Sequence, residues 1–135
     1  MSKSHILLSS VNEFYSDDKN KTTLMSILDK TSGISLRNIE WFITNYAKKH
    51  QTSYTTTNGR LFTAHCAYKS SLDGYSKKLF DPFARSEKFT YVIPGTSHEI
   101  QTTIAQLNFI KWCIKNRIID YISKHKDTLF SKRVT

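Results

Sequence analysis

Apolar side chains recur along this chain at two spacings, and the switches between them mark out its elements. Between residues 22 and 30, Leu24, Ile27 and Leu28 fall at i, i+3 and i+4, one stripe of a short helix that Ser32-Gly33 breaks. From residue 36 to 50, Leu36, Ile39, Ile43, Tyr46 and Ala47 share a helical face flanked by Trp41 and Phe42. Ser35 stands where its hydroxyl can accept from the free amides of the first turn. Lys48, Lys49 and His50 fill the last turn, where cations suit the helix dipole. Residues 53–57 and 60–64 are rich in β-branched and aromatic types and flank Asn58-Gly59, which predicts a hairpin closed by a two-residue type I′ turn. Tyr68 and Leu72 restore a helical spacing over 65–73, with Gly74 as its stop. Residues 75–86 read as irregular. Phe89, Tyr91 and Ile93 then alternate with Lys88, Thr90 and Val92 as a half-buried strand that Pro94-Gly95 ends in a turn.

The last third is helical. Thr103 and Gln106 have the spacing of a capping box, with the Gln106 side chain placed to reach the Thr103 amide. Ile104, Leu107, Ile110 and Ile114 form a stripe that Phe109, Trp112 and Cys113 widen. Asn116 is the expected left-handed residue at its end. A second run carries Ile118, Ile119, Tyr121 and Ile122 and turns basic and polar after Ser123. The expectation is an α+β domain, a small antiparallel sheet made of the hairpin plus a third strand and packed against four to five helices. Residues 1–20 read as a mobile N-terminal arm, with 16–21 as a polar loop, 21–130 as the single globular domain, and 131–135 as a frayed tail.

Composition narrows the function classes. A chain of 135 residues is one domain in length and can bury a core without disulfide or metal. No apolar run approaches the roughly 18 residues of a membrane span, so no membrane partner is expected. Cys66 and Cys113 lie far apart in apolar surroundings and read as reduced core thiols of a cytosolic or nuclear protein. No cofactor is implied. The cysteines and histidines lack the short spacings of a zinc site, so no metal is expected, and no glycine-rich phosphate loop or catalytic motif is present. The reading is therefore non-enzymatic.

Charge changes the picture most. Twenty Lys and Arg against eleven Asp and Glu give +9, unevenly spread. Residues 1–47 are neutral, residues 48–88 carry eight basic and three acidic groups, and residues 111–135 carry seven and two. Such a field concentrates polyanions and is screened by salt. The expected phosphate-contacting residues are Lys48, Lys49, Arg60, Lys77, Lys78, Arg85 and Lys88, with Lys111, Lys115 and Arg117 as a second block. Aromatic residues interleave with the first block, as stacking on unpaired bases requires. Residues 103–126 also have the outline of a helix-turn-helix, although Ile118, Ile119 and Ile122 are claimed by packing.

Three segments, Ser35 through Lys49, Tyr75 through Phe83 and Thr102 through Trp112, together resemble a type of small, uncharacterised basic protein encoded by nucleocytoplasmic large DNA viruses. The resemblance covers roughly residues 33–122. It implies a setting in the host cytoplasm, the viral replication compartment or the virion, and no particular chemistry. The leading expectation is a viral protein that binds nucleic acid, DNA ahead of RNA, in genome packaging, transcription or replication. The alternative is a structural or interaction module, a virion component or scaffold, whose cations meet an acidic protein. The sequence leaves the oligomeric state open.

Overall fold

The structure, a computed structural model, describes residues 3–29, 31, 33–56, 58–75, 77–83 and 88–130. The tail expected to fray (131–135) and Arg85 lie outside the described residues. The fold is α+β, mostly helical, with two small antiparallel sheets.

Helix α7 (Ile104–Lys115) is the centre, burying Ala105, Leu107, Asn108, Phe109, Ile110 and Cys113. Its apolar residues occupy more than one side, so helices pack around it: α1 (Lys3–Phe14), α2 (Asp18–Leu28), α6 (Lys77–Phe80) and α8 (Ile118–Phe130). Here the expected N-terminal arm is corrected. Leu7, Val11 and Tyr15 recur every four residues and bury, and the Tyr15 hydroxyl donates to the Leu107 carbonyl at 2.9 Å. Asn12 anchors the same helix, accepting from the Tyr91 hydroxyl at 2.8 Å. The polar loop expected at 16–21 is instead the start of α2. The Asp17 carboxylate accepts from the amides of Lys19 and Asn20, so the polar run is a capped first turn.

Helix α3 (Leu36–Trp41) opens on a reciprocal cap between Ser35 and Asn38. It continues through a π-helical turn (Phe42–Tyr46) into α4 (Ala47–His50). In that turn the Ala47 amide reaches back to the Phe42 carbonyl, one residue beyond the α register. The extra residue lets Ile39, Phe42, Ile43 and Ala47 all bury. Gln51, at φ 48°, ends the helix in the left-handed region.

The predicted hairpin is present, as β1 (Ser53–Thr55) paired with β2 (Leu61–Thr63). Its turn differs from the type I′ expectation. Thr56 faces Arg60 across three residues, and among the described ones Gly59 takes a positive φ, 80°. The Asn58 side chain accepts from the Thr56 hydroxyl and the Arg60 amide, which fixes this longer connection. Helix α5 (Ala64–Tyr75) leaves β2 directly and keeps Gly74 inside its last turn. Helix α6 occupies part of the stretch read as irregular, because Phe80 is drawn into the core against Tyr68, Phe109 and Trp112.

The expected single three-stranded sheet is two separate hairpins. Strand β3 (Phe89–Val92) pairs with β4 (Glu99–Thr102), which the sequence did not reveal. Pro94-Gly95 forms a type II turn, with Gly95 at φ 77° and the Thr96 amide on the Ile93 carbonyl. That short closure reaches a partner at far lower entropy than the distant first hairpin would. Two further expectations fail locally. The Gln106 side chain donates to the Pro82 carbonyl instead of closing the capping box, and Arg117, not Asn116, is left-handed. Cys113 is buried and Cys66 exposed, both free, so only one of the two is a core thiol.

Candidate nucleic-acid interface

The last turns of the 36–50 helix carry a shallow groove of about 580 Å³ lined by Trp41, Thr44, Asn45, Tyr46, Lys48, Lys49 and His50. Tyr46 and His50 sit one turn apart, and their ring centroids lie 4.3 Å from each other. The same arrangement recurs on α8, where Tyr121 and His125 are also 4.3 Å apart. Buried Phe42 joins the two sets, 5.8 Å from Tyr46 and 5.5 Å from Tyr121. Both imidazoles are exposed, tilted 37° and 34° against their tyrosines.

A second groove, of about 490 Å³, lies between the β1 hairpin and α8. Tyr54, Thr55, Thr56, Arg117, Asp120, Tyr121, Lys124 and His125 line it. Tyr54 stacks on Tyr121 at 5.0 Å and 17°, and its hydroxyl donates to the Asn116 carbonyl at 2.7 Å. Burial first, and then the neighbouring Tyr46, push the Tyr121 phenol above its ordinary pKa. Burial raises Tyr54 as well, so both rings stay neutral and present uncharged faces. Each groove thus combines aromatic and cationic side chains in its lining, and buried Phe42 lies in the core between their tyrosines.

The predicted cations are placed as follows. Lys48 and Lys49 are exposed on α4 and make no ion pair with a described carboxylate. Lys48 and Lys69 both approach His65, and with burial as the larger cause they hold its pKa below the ordinary histidine value. Arg60 is exposed beyond the hairpin turn, Lys78 on α6 and Lys88 ahead of β3. None of these three lines either groove. Lys77 begins α6, and its side chain lies outside the described residues. Lys111 is turned inward: it donates to the Ser10 hydroxyl and lies over the Phe14 ring at 5.7 Å. Burial, then Lys115, lowers its pKa. Lys115 is exposed, and Arg117 pairs with Asp120 at 2.8 Å. The structure therefore brings Lys48 and Lys49 to one groove and Arg117 to the other, and sets Lys111 apart.

Sequence reasoning missed His50 and His125 as groove-lining residues. Their signal was the repeated Tyr-x-x-x-His spacing at 46–50 and 121–125, which puts each pair on one side of a helix. The helix-turn-helix outline is present as α7, the 116–117 turn and α8. Its second helix buries Ile118 and Ile122 and exposes Asp120 and Asp127, a poor surface for a DNA groove. Among the described residues no three His, Cys, Asp or Glu side chains are gathered as metal ligands, and no helix is long and apolar enough to cross a membrane.

The chain is 40% identical over 119 residues to "Uncharacterized protein L507" of Acanthamoeba polyphaga mimivirus. The match covers 83% of the chain and 46% of that relative, so the chain spans about half the relative's length. No solved structure matches. The viral relative agrees with the resemblance read from the sequence. Residues 1–132 match the model of the family of unknown function DUF7197, and the chain belongs to that family.

Proposed function

We propose that the chain binds nucleic acid without catalysing a reaction, by stacking unpaired bases and contacting phosphates at the two grooves that pair aromatic rings with cations. The observation that carries this reading is the pairing of two close, tilted imidazole–tyrosine contacts with lysines that make no ion pair among the described residues. His50 over Tyr46 and His125 over Tyr121 offer π-faces at the surface, with Lys48, Lys49 and Lys124 beside them. Stacking on aromatic and histidine rings tolerates any base, and the lysines supply salt-sensitive phosphate contacts. Single strands suit such a surface better than duplex, because only unpaired bases expose their faces. The mimivirus relative supports a viral setting; DNA ahead of RNA, in packaging, transcription or replication, is the ligand and role we propose there.

The test is a salt-titrated affinity measurement on single-stranded DNA, duplex DNA, RNA and heparin. Single-stranded affinity is expected to exceed duplex and to fall with salt at about 0.7 log units per log unit for each phosphate contacted. Lys48→Ala combined with Lys49→Ala should flatten that slope, and His125→Ala should weaken single strands more than heparin. Binding that is absent at low salt or indifferent to salt overturns the reading. So does a protein partner that survives nuclease treatment and is lost in the lysine variants, which would assign the same cations to an acidic protein.

A further inference from the structure

On the far side of the Arg117–Asp120 pair lies a third, smaller cleft of about 270 Å³. Phe14, Asn20, Thr23, Ile114 and Ile119 form its walls, and Lys19, Lys115 and Arg117 reach it from three separate elements. Lys19 stands in the first turn of α2, Lys115 ends α7, and Arg117 is the link to α8. Asp120 is the single carboxylate among the lining residues, and Arg117 already engages it. The first turn of α8 forms one wall, so the positive end of that helix dipole also lies at the cleft.

The backbone is bent to put Arg117 there. Its φ of 62° is a conformation that glycine adopts freely and an arginine does not. Arg117 is the left-handed residue that ends α7, as Gln51 ends α4, and it turns the chain into α8 with the guanidinium at the cleft. Lys19 and Lys115 carry no ion pair with a described carboxylate. Burial and then Lys115 lower the pKa of nearby Lys111, with Glu13 partly offsetting them.

We infer that this cleft is a terminal-phosphate pocket, in which Lys19, Lys115 and Arg117 hold the phosphomonoester at the end of a nucleic-acid strand. The inference rests on the nucleic-acid reading above and deepens it. Three cations against one carboxylate leave about two positive charges, matching a phosphomonoester dianion better than the single charge of an internal phosphodiester. The cleft is below the roughly 300–1,000 Å³ of ordinary ligand sites, room for one phosphate group and its sugar. Arg117 and Asp120 line both this cleft and the Tyr54–Tyr121 groove, so a phosphate seated here delivers the adjoining base to that stack.

The experiment compares one short oligothymidylate bearing a 5′-phosphate, a 3′-phosphate or hydroxyl ends, with inorganic phosphate as competitor, on the full chain. One phosphorylated form should bind roughly tenfold tighter than the hydroxyl form, the worth of one added charged contact. Inorganic phosphate should erase that difference. Lys19→Ala and Lys115→Ala, both at exposed positions, should abolish the preference, and Asp120→Asn should enlarge it by removing a repelling charge. Lys48→Ala should weaken all three oligonucleotides alike. Equal binding of the three overturns the pocket while leaving nucleic-acid binding intact, as does an Asp120→Asn variant that weakens the preference. Binding of none overturns both.

Discussion

Replacing Arg117 with glycine, and separately with alanine, isolates the backbone strain from the chemistry of the side chain. At φ 62° a residue with a Cβ bears roughly 1–2 kcal/mol of left-handed strain that glycine lacks. Against this, glycine loses about 0.5–1 kcal/mol more conformational entropy on folding. Both variants forfeit the ion pair to Asp120, whose side chains are 50% and 56% exposed, so its worth is about 0–1 kcal/mol. Arg117→Gly should therefore stay within about 1 kcal/mol of the parent. For a chain of 135 residues that is within about 4 °C in Tm. Arg117→Ala keeps the strain and should be about 0.5–1 kcal/mol less stable than Arg117→Gly, a difference in which the ion pair cancels. Urea unfolding with both variants measures the gap, and the terminal-phosphate assay should show both losing the same share of the preference. An alanine variant as stable as the glycine variant would refute the strained αL assignment. A glycine variant that keeps full phosphate preference would refute the role given to the guanidinium.

Four further outcomes follow from the packing. Tyr15→Phe should cost about 1 kcal/mol in urea unfolding, by removing the hydroxyl that donates to the Leu107 carbonyl; an unmoved midpoint would mean that α1 does not dock on α7. Phe80→Ala should cost about 3–5 kcal/mol, because a ring in contact with Tyr68, Phe109 and Trp112 leaves a cavity; a loss under about 1 kcal/mol would place α6 outside the core. Cys66 should react with Ellman's reagent at once, and Cys113, buried and with its thiol pKa pushed up by burial, only as the chain unfolds. His65 is held below the usual histidine pKa by burial and then by Lys48 and Lys69. The unfolded chain therefore protonates first, and stability should fall on acidification through about 6.5 and return above it. His65→Gln should shrink that pH dependence slightly, since the ring is mostly solvated, and an increase would reverse the assigned sign.

What the sequence disclosed of the fold was decided by how local each signal was. Ser35 and Thr103 cap their helices because a hydroxyl and an amide three residues apart need nothing else. The alternation of Phe89, Tyr91 and Ile93 put the right side of β3 inward. Strand β4 was hidden because Glu99-Ile100-Gln101-Thr102 shows one large apolar residue, and its pairing depends on the turn before it more than on its own composition. Helix α1 was visible in principle, as Leu7, Val11 and Tyr15 keep a four-residue spacing. Ser9 and Ser10 dilute that stripe. The π-turn leaves no composition of its own, since it arises from packing Phe42, Ile43 and Ala47 against one core.

The candidate face was legible in part, for a related reason. Net charge per segment located Lys48, Lys49 and Arg117, because long cationic side chains stay at the surface wherever the backbone goes. It could not say which cations share a face. Arg60, Lys78 and Lys88 belong to the same sequence block as Lys48, yet the fold sends them to a hairpin tip, a short helix and a strand entrance outside both grooves. Lys19, from the charge-neutral first third, instead comes to stand beside Lys115, because α2 packs on α7. Charge along the chain is thus a poor guide to charge in space when helices cross. The more durable clue was the pair of Tyr-x-x-x-His repeats, where helical geometry alone fixes the two rings on one side. Two such pairs, each in a groove and both packed on buried Phe42, mark residues that neither block of lysines would single out. If single strands bind more tightly than duplex, those rings, and not the total of +9, account for the preference.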